Sequence, residues 1–511
     1  MKKFSLLIIT IITCQILVSQ NETAPNKLTQ KGFAKINFLS INMPEFNIPN
    51  EPNMGFAGIH YNLFLNKSFY TGLGIYGAVS GKRGGFFTLG INAGYKKFLT
   101  EKLYLDTGFH FGGGGGAAAP DGGGAFILPH FNLGYNFKHF SLNTGWSYVH
   151  FFDDGLIKGN QLNVALEIPL NYDYSNYNKR ENVYQLKELN KSNWNQKTQR
   201  TSLMVHLNNL DVTKALPTQE QVIQGKTIRL AGFEFANYFT KNWFGFIKVD
   251  GAYSGIRAGY MDVFLGGGYH FSFNKNSTHI LTKFSIGAGG GGGVNSDGGF
   301  MIAPDVSLEQ KLFKNTFIAI NKGYLLTPSQ LFSTSSYGVS LKYYLDRSGT
   351  IANKKHFSSG KFKGVDFIIK HDWYFNAKRI SEPTEDMHQI SLQINLDLNK
   401  HLYVAGQTSF ANFGNAGAYA EGLVGLGIKS KKIMGIHTRF FGQILTGAAG
   451  GGNISTGEGL IIKPSFGADY QLNNTLNLRG SLGYVKAKGG NLNNAFINLG
   501  LSYNFSFLNM K

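Results

Sequence analysis

Apolar and polar residues alternate with a period of two over most of this chain. Phe140, Leu142, Thr144, Trp146 and Tyr148 fall on one face of a segment; Ser141, Asn143, Gly145 and Ser147 fall on the other. Phe87, Leu89, Ile91, Ala93 and Tyr95 oppose Thr88, Gly90, Asn92, Gly94 and Lys96 in the same way. Successive side chains of a strand point to opposite faces, so this period predicts β-strands with two unlike faces. In the first third of the chain it predicts Ala34–Ile41, Gly55–Leu65, Phe69–Ser80, Gly85–Phe98, Leu103–Gly113, Gly124–Phe137, Phe140–His150 and Gln161–Pro169. Many of these are close to the roughly 9–11 residues that a tilted strand needs to cross a bilayer. Their connections alternate in length. Short turns such as Asn66-Lys67-Ser68, Thr100-Glu101-Lys102 and Lys138-His139 take turns with longer loops such as Asn42–Met54 and Phe152–Asn160. Short turns at one end and long loops at the other are the layout of an antiparallel up-and-down transmembrane barrel, with the short turns periplasmic.

The pattern occurs three times. FHFGGGGGAAAPDGGGAFILPHFNLGY from Phe109 returns, altered, as FSIGAGGGGGVNSDGGFMIAPDVSLEQ from Phe284 and FGQILTGAAGGGNISTGEGLIIKPSFGADY from Phe441. Each copy keeps the spacing G-x4-P, at Gly124 and Pro129, Gly299 and Pro304, and Gly459 and Pro464. A Gly-aromatic pair follows each: Gly145-Trp146, Gly323-Tyr324 and Gly483-Tyr484. A period this long marks a triplicated domain rather than a solenoid. The expected organisation is a signal peptide over 1–20, barrel repeats over 21–170, 201–345 and 362–511, and polar linkers over 171–200 and 346–361. The first linker is expected to be partly helical around Tyr184–Leu189.

About 24 strands can close in two ways. A single barrel of that size has a wide lumen that normally carries a plug, and no segment is large enough to be a separate plug domain. Three eight-stranded barrels are instead filled by their own side chains. In copy three the inward positions include Asp397, Glu421, Lys429, His437, Arg439, Lys463, Asp469 and Arg479, a mixture of both signs suited to an internal ionic network. The linkers fall only between copies. Three tandem barrels are the preferred reading and a single large barrel is the alternative.

Composition supports a membrane barrel. Charged residues make up 15% of the 511 residues, aromatics 14%, and 66 are glycine; soluble domains carry about 25% charged residues. Mean hydropathy is only −0.13, as lipid-facing and inward-facing positions in alternation would give. Lys2, Lys3 and the apolar run Phe4–Thr13 read as a signal peptide, cleaved near Ser19 or Gln20. Cys14 is the one cysteine, so a processed chain has no disulfide and no thiolate metal site.

Near its end the chain carries Asn498, Gly500, Tyr503, Phe505 and Phe507, in the spacing polar-x-Gly-x-x-aromatic-x-aromatic-x-aromatic. This resembles the C-terminal β-signal of bacterial outer-membrane proteins, and the eight-stranded units resemble the OmpA-type family in the style of Bacteroidetes envelope proteins. The resemblance implies residence in the outer membrane of a Gram-negative cell and contact with the outer-membrane assembly machinery.

The net charge of +19 is concentrated at expected turns and linkers, including Lys67, Lys102, Lys138, Lys241, Lys314, Lys400, Lys431 and Lys432. Lysines at strand ends can snorkel to the membrane interface. Their expected partners are outer-membrane lipid and lipopolysaccharide; no nucleic-acid motif is present. The glycine runs lack G-x-x-x-x-G-K-[ST], which argues against phosphate loops. Asp121, Asp297 and Glu458 give each glycine loop one carboxylate, whereas Ca²⁺ takes about six to eight oxygens, so turn formation is their expected role. Asp106, His110, His130, Ser141 and Glu167 are the inward groups from which a lipid hydrolase would have to be built, and the copies do not share the set. The expectation is therefore no enzyme, cofactor or metal. A structural or surface-binding role with an extracellular ligand comes first, a porin-like channel or transporter second, and a lipid-modifying hydrolase third.

Overall fold

A computed structural model of the chain describes residues 24–194, 201–217, 222–313, 315–344, 358–433, 435 and 437–510. The expected signal peptide, Cys14, residues 195–200 and most of the second linker lie outside them. The first eight barrel strands are Gly32–Ile41, Met54–Phe64, Phe69–Ser80, Phe87–Phe98, Leu103–Gly115, Phe126–Asn136, Ser141–Phe151 and Lys158–Pro169. Each is antiparallel to the next, and the eighth returns to the first with Ile36 opposite Leu166, closing barrel one. Barrel two runs from Thr201 to Tyr344 and closes with Leu207 opposite Val339. Barrel three runs from Ser359 to Met510 and closes with Ile369 opposite Leu501. Closure removes the unpaired sheet edges that a membrane interior cannot hydrate. Among the described residues no helix is long and apolar enough to cross a membrane.

The outward faces form a belt. Near the short turns Phe69, Phe98, Phe137, Phe239, Trp243 and Phe313 are exposed. Near the long loops Tyr324 and Tyr484 are exposed, and along the middle of the strands lie Trp146, Leu162, Ile286, Ile320, Leu426, Leu482 and Leu499.

The inward faces carry charge. In barrel one Lys35 meets Asp106 at 3.1 Å and Lys96 meets Glu167 at 2.5 Å. In barrel two Lys283 meets Glu234 at 2.9 Å and Lys342 meets Glu309 at 2.7 Å. In barrel three Lys463 bridges Asp372 and Glu421, Arg439 and Arg479 share Asp469, and Lys429 pairs with Asp397. One expected inward residue is corrected: His437 has φ of +51° and sits exposed in the turn before the strand Thr438–Gly450.

The first linker is also corrected. Residues 171–194 are an ordered cap on the turn end of barrel three. Tyr172–Asn176 adds to the last strand at Ser506, and Val183–Gln185 adds to the first at Gly360. The helix Leu186–Lys191 buries Leu189 against Trp194, Phe362 and Met510. Between them the Tyr177 hydroxyl donates to Asp397 at 3.2 Å, and the Arg180 guanidinium lies 3.3 Å from the same carboxylate. A short segment thus plugs the mouth of one narrow barrel.

The three barrels pack in a ring. The third strand of barrel one, Phe69–Ser80, meets the fifth strand of barrel two, Thr278–Gly290. The third strand of barrel two, Trp243–Ser254, meets the fifth of barrel three, Thr438–Gly450. The third strand of barrel three, Leu402–Phe413, meets the fifth of barrel one, Leu103–Gly115. One head-to-tail contact used three times closes a ring. Small residues allow the close approach. A Cβ on Gly77 would lie 2.7 Å from the Ala288 Cβ, and one on Gly251 would lie 3.0 Å from the Ala448 Cβ. A Cβ on Gly113 would meet the Ala411 carbonyl oxygen at 2.3 Å. Phe87, Leu89, Val263, Ala288, Ile390 and Phe410 form an apolar core between the barrels.

Candidate functional site

The glycine loops of all three copies converge over the axis of this ring. They follow the fifth strands, and each is closed by the glycine of the G-x4-P motif. Gly124, Gly299 and Gly459 have φ of +94°, +96° and +108°, a region that L side chains rarely adopt. Their carbonyls accept from the amides of Gly114, Gly289 and Ala449 at 2.8–3.1 Å. Five residues on, Pro129, Pro304 and Pro464 face the seventh strand with no N–H to give. The ladder between the sixth and seventh strands skips there in every copy, between Ile127 and His130, Ile302 and Asp305, and Ile462 and Ser465. Gly323 and Gly483 then admit the Pro304 and Pro464 carbonyls, which a Cβ would meet at 2.4 Å. Gly145 does not share this place: it pairs with Asn132, and Ser147 stands where the other copies have glycine.

The acidic residue of each glycine loop reaches a neighbouring barrel. Asp297 of barrel two takes an ion pair from Lys82 of barrel one at 2.9 Å, and its carbonyl accepts from the Gly84 amide at 3.0 Å. Glu458 of barrel three accepts from the Ser254 hydroxyl of barrel two at 2.7 Å. Asp121 of barrel one packs against Gly417 of barrel three and accepts from the Gly116 amide at 2.7 Å. Burial pushes its carboxyl up to about 7, against the opposing pull of that amide and Arg83. Asp297 and Glu458 are therefore clasps between barrels, whereas Asp121 orders its own glycine loop where that loop packs on barrel three. Among the described residues no group of three metal-ligating side chains is present.

Longer loops brace the clasps. Arg83 donates to both Glu51 oxygens at 2.6 Å, to Asn47 at 2.7 Å and to the carbonyls of Ala117 and Ala118. Arg379 plays the same part in barrel three, bonding Glu382 and the carbonyls of Gly414 and Asn415. Above the clasps lies an open vestibule of about 1360 Å³ whose walls come from all three barrels. Gly85, Gly259 and Ala418 lie at its floor beside the inter-barrel core. Its rim carries one exposed apolar residue from the first loop of each barrel: Phe46, Leu216 and Ile380.

Of the groups weighed for hydrolysis, Asp106 and Glu167 both face Lys35, and Ser141 lies across the ladder from Glu167, but the serine and His110 are bonded to other partners. His130 lies 3.5 Å from Asp106, but the Ser141 hydroxyl donates to Asn136 at 2.9 Å and His110 bonds Asn92 at 2.6 Å. Glu167 is held by Lys96 and Asn143. Asn498, Gly500, Tyr503, Phe505 and Phe507 lie on the closing strand Asn493–Met510. Gly500 lets the first strand approach, since a Cβ there would be 2.2 Å from the Ile369 carbonyl oxygen, and Phe505 packs on Tyr172 and Tyr174.

No protein-family model matches the sequence, and no curated protein matches it. Solved structures align over most of its length. OpdQ of Pseudomonas aeruginosa is 9% identical over 94% of this chain and 98% of its own, with a TM-score of 0.20. OccAB3 of Acinetobacter baumannii is 10% identical over 94% and 99%, with a TM-score of 0.21. A variant of the ferric enterobactin receptor PfeA of Pseudomonas aeruginosa is 8% identical over 93% and 80%, with a TM-score of 0.27.

Proposed function

We propose that the chain is an integral protein of a bacterial outer membrane that binds an external ligand in the vestibule, without catalysis. Membrane placement is supported by the continuous belt of exposed aliphatic and aromatic side chains on the outward strand faces, as in outer-membrane barrels. The observation that carries the binding reading is the contrast between lumens and vestibule. Ion pairs fill each lumen, whereas the vestibule is open and built jointly by three barrels. Lysines on the short turns, such as Lys67, Lys102 and Lys400, are exposed and suit a row of anionic headgroups on the periplasmic side.

A channel or transporter is the second reading, and the open mouth over the ring axis favours it. Phe87, Met261 and Phe410 stand in the apolar core beneath that mouth. Reconstitution in planar bilayers separates the two. Filled lumens and an apolar axis give no stepwise conductance. Large, stable steps would overturn the binding reading and establish a channel.

A further inference from the structure

The strands that face the ring axis do not carry equivalent side chains. Phe87 and Leu89 of barrel one lie opposite Gly77 and Ile75. The same places hold Met261 and Val263 in barrel two, and Ala420 and Gly422 in barrel three. On this strand barrel three therefore contributes almost no side chain, and the large residue stands instead on the strand opposite, as Phe410 across from Ala420. A Cβ on Gly422 would meet nothing within 4 Å. The groove between barrels two and three, bounded at the ring axis by Gly85, Phe87 and Gly115 of barrel one, has a volume of about 380 Å³, against about 110 Å³ between barrels one and two. Small-molecule sites begin at about 300 Å³.

The larger groove runs down the loop-end half of the belt. Ala231, Phe233 and Val249 wall it on barrel two; Gly422, Val424 and Thr446 wall it on barrel three. Arg229 stands on the same outward row as Ala231 and Phe233, one step nearer the loops and just beyond the groove's upper end, and is exposed. Its guanidinium meets the Ser254 hydroxyl at 3.4 Å, and that hydroxyl in turn donates to Glu458 at 2.7 Å, so one carboxylate lies beside it. The equivalent positions, set by the same strand bulge, are Gly55 in barrel one and His388 in barrel three. The one copy with an arginine here is thus the copy that flanks the large groove.

We propose that this groove seats an acyl chain of an anionic outer-leaflet lipid, with a headgroup phosphate at Arg229. In a Gram-negative envelope that lipid is lipopolysaccharide. The inference rests on the membrane placement above. An apolar slot in the outer half of the belt, capped by a guanidinium at headgroup level, matches both parts of such a molecule. Arginine pairs with phosphate through charge-assisted hydrogen bonds, often two at once.

The test uses the full chain, purified in mild detergent, and counts lipid A by mass spectrometry after extraction. Gly422→Phe fills the groove. Gly480→Phe is the control, because its Cβ meets nothing closer than 3.7 Å and it lies on the outward row of Leu478 and Leu482, away from the groove. The wild type and Gly480→Phe should retain about one lipid per chain and Gly422→Phe about tenfold less, a loss of about 1.4 kcal/mol in affinity. Arg229→Ala should bind added lipid A no better than its dephosphorylated form, while the wild type prefers the phosphorylated one. Equal retention by the wild type and Gly422→Phe, or none by the wild type, overturns the proposal. Heat-modifiable migration on gels confirms that each variant is folded. Cell fractionation reads the membrane placement separately: recovery in the soluble periplasm overturns that placement, and this site with it.

Discussion

Lys463→Met is expected to destabilise barrel three by about 3–5 kcal/mol, the range seen when one partner of a buried ion pair is removed. The Lys463 ammonium lies 2.8 Å from Asp372 and 3.1 Å from Glu421, and both carboxylates are fully enclosed. Lys370 is 3.9 Å from Asp372 and meets only one of the two. Methionine keeps most of the volume but leaves Glu421 with the hydroxyls of Tyr374 and Tyr419 as its hydrogen bonds. Lys82→Met removes an exposed pair, Lys82 to Asp297 at 2.9 Å, and should cost no more than about 1 kcal/mol. Urea unfolding in detergent micelles, followed by tryptophan fluorescence, measures both. Equal small effects would mean that the barrel-three lumen is hydrated rather than filled.

Leu482→Arg is expected to cost about 2–4 kcal/mol, the penalty for a cation facing lipid near the bilayer midplane. Leu482 is 65% exposed at the centre of the strand Leu476–Ala487, on the row that includes Leu478 and Tyr484. Leu472 is 51% exposed in the turn before that strand, at the membrane edge. Leu472→Arg should therefore cost only about 0–1 kcal/mol. The amount of heat-modifiable protein in the outer-membrane fraction reports both. Equal tolerance of the two arginines would mean that this face meets water.

The strands were legible because lipid and lumen demand opposite chemistry on alternate residues. Phe69–Ser80 was read from the sequence with both ends correct, and Leu103–Gly113 ends only two residues early. Closure was not legible in the same way. Hydrogen bonds between a first and an eighth strand use backbone groups and leave no pattern of their own, so the preference for three small barrels rested on indirect signs: inward charges of both signs, such as Lys463 and Glu421, and linkers that fall only between copies. The glycine runs and their acidic neighbours looked like turns because their partners are distant in sequence. Asp297 meets Lys82 across 215 residues, and Glu458 meets Ser254 across 204. Tyr177 and Arg180 looked like linker residues for the same reason, since the carboxylate they seek, Asp397, belongs to another barrel. His437 was misplaced because the strand begins one residue after it, at Thr438, and its own φ of +51° is not that of a strand. The shared spacing of G-x4-P was the strongest sequence signal of the site, and its cause is backbone geometry: a left-handed glycine that closes the loop and a proline that opens the ladder.

Separate closure of the three barrels is tested most directly by paired cysteines in a Cys14→Ser background. A disulfide needs Cα atoms within about 4.4–6.8 Å, which directly opposed antiparallel residues provide. The closing pairs are Ile36 with Leu166, Leu207 with Val339, and Ile369 with Leu501. Each doubly substituted chain should crosslink within itself on mild oxidation, and Phe38 with Leu501 should not. Crosslinking of Phe38 with Leu501, and none within the three closing pairs, would contradict three barrels and require one barrel made from all the strands.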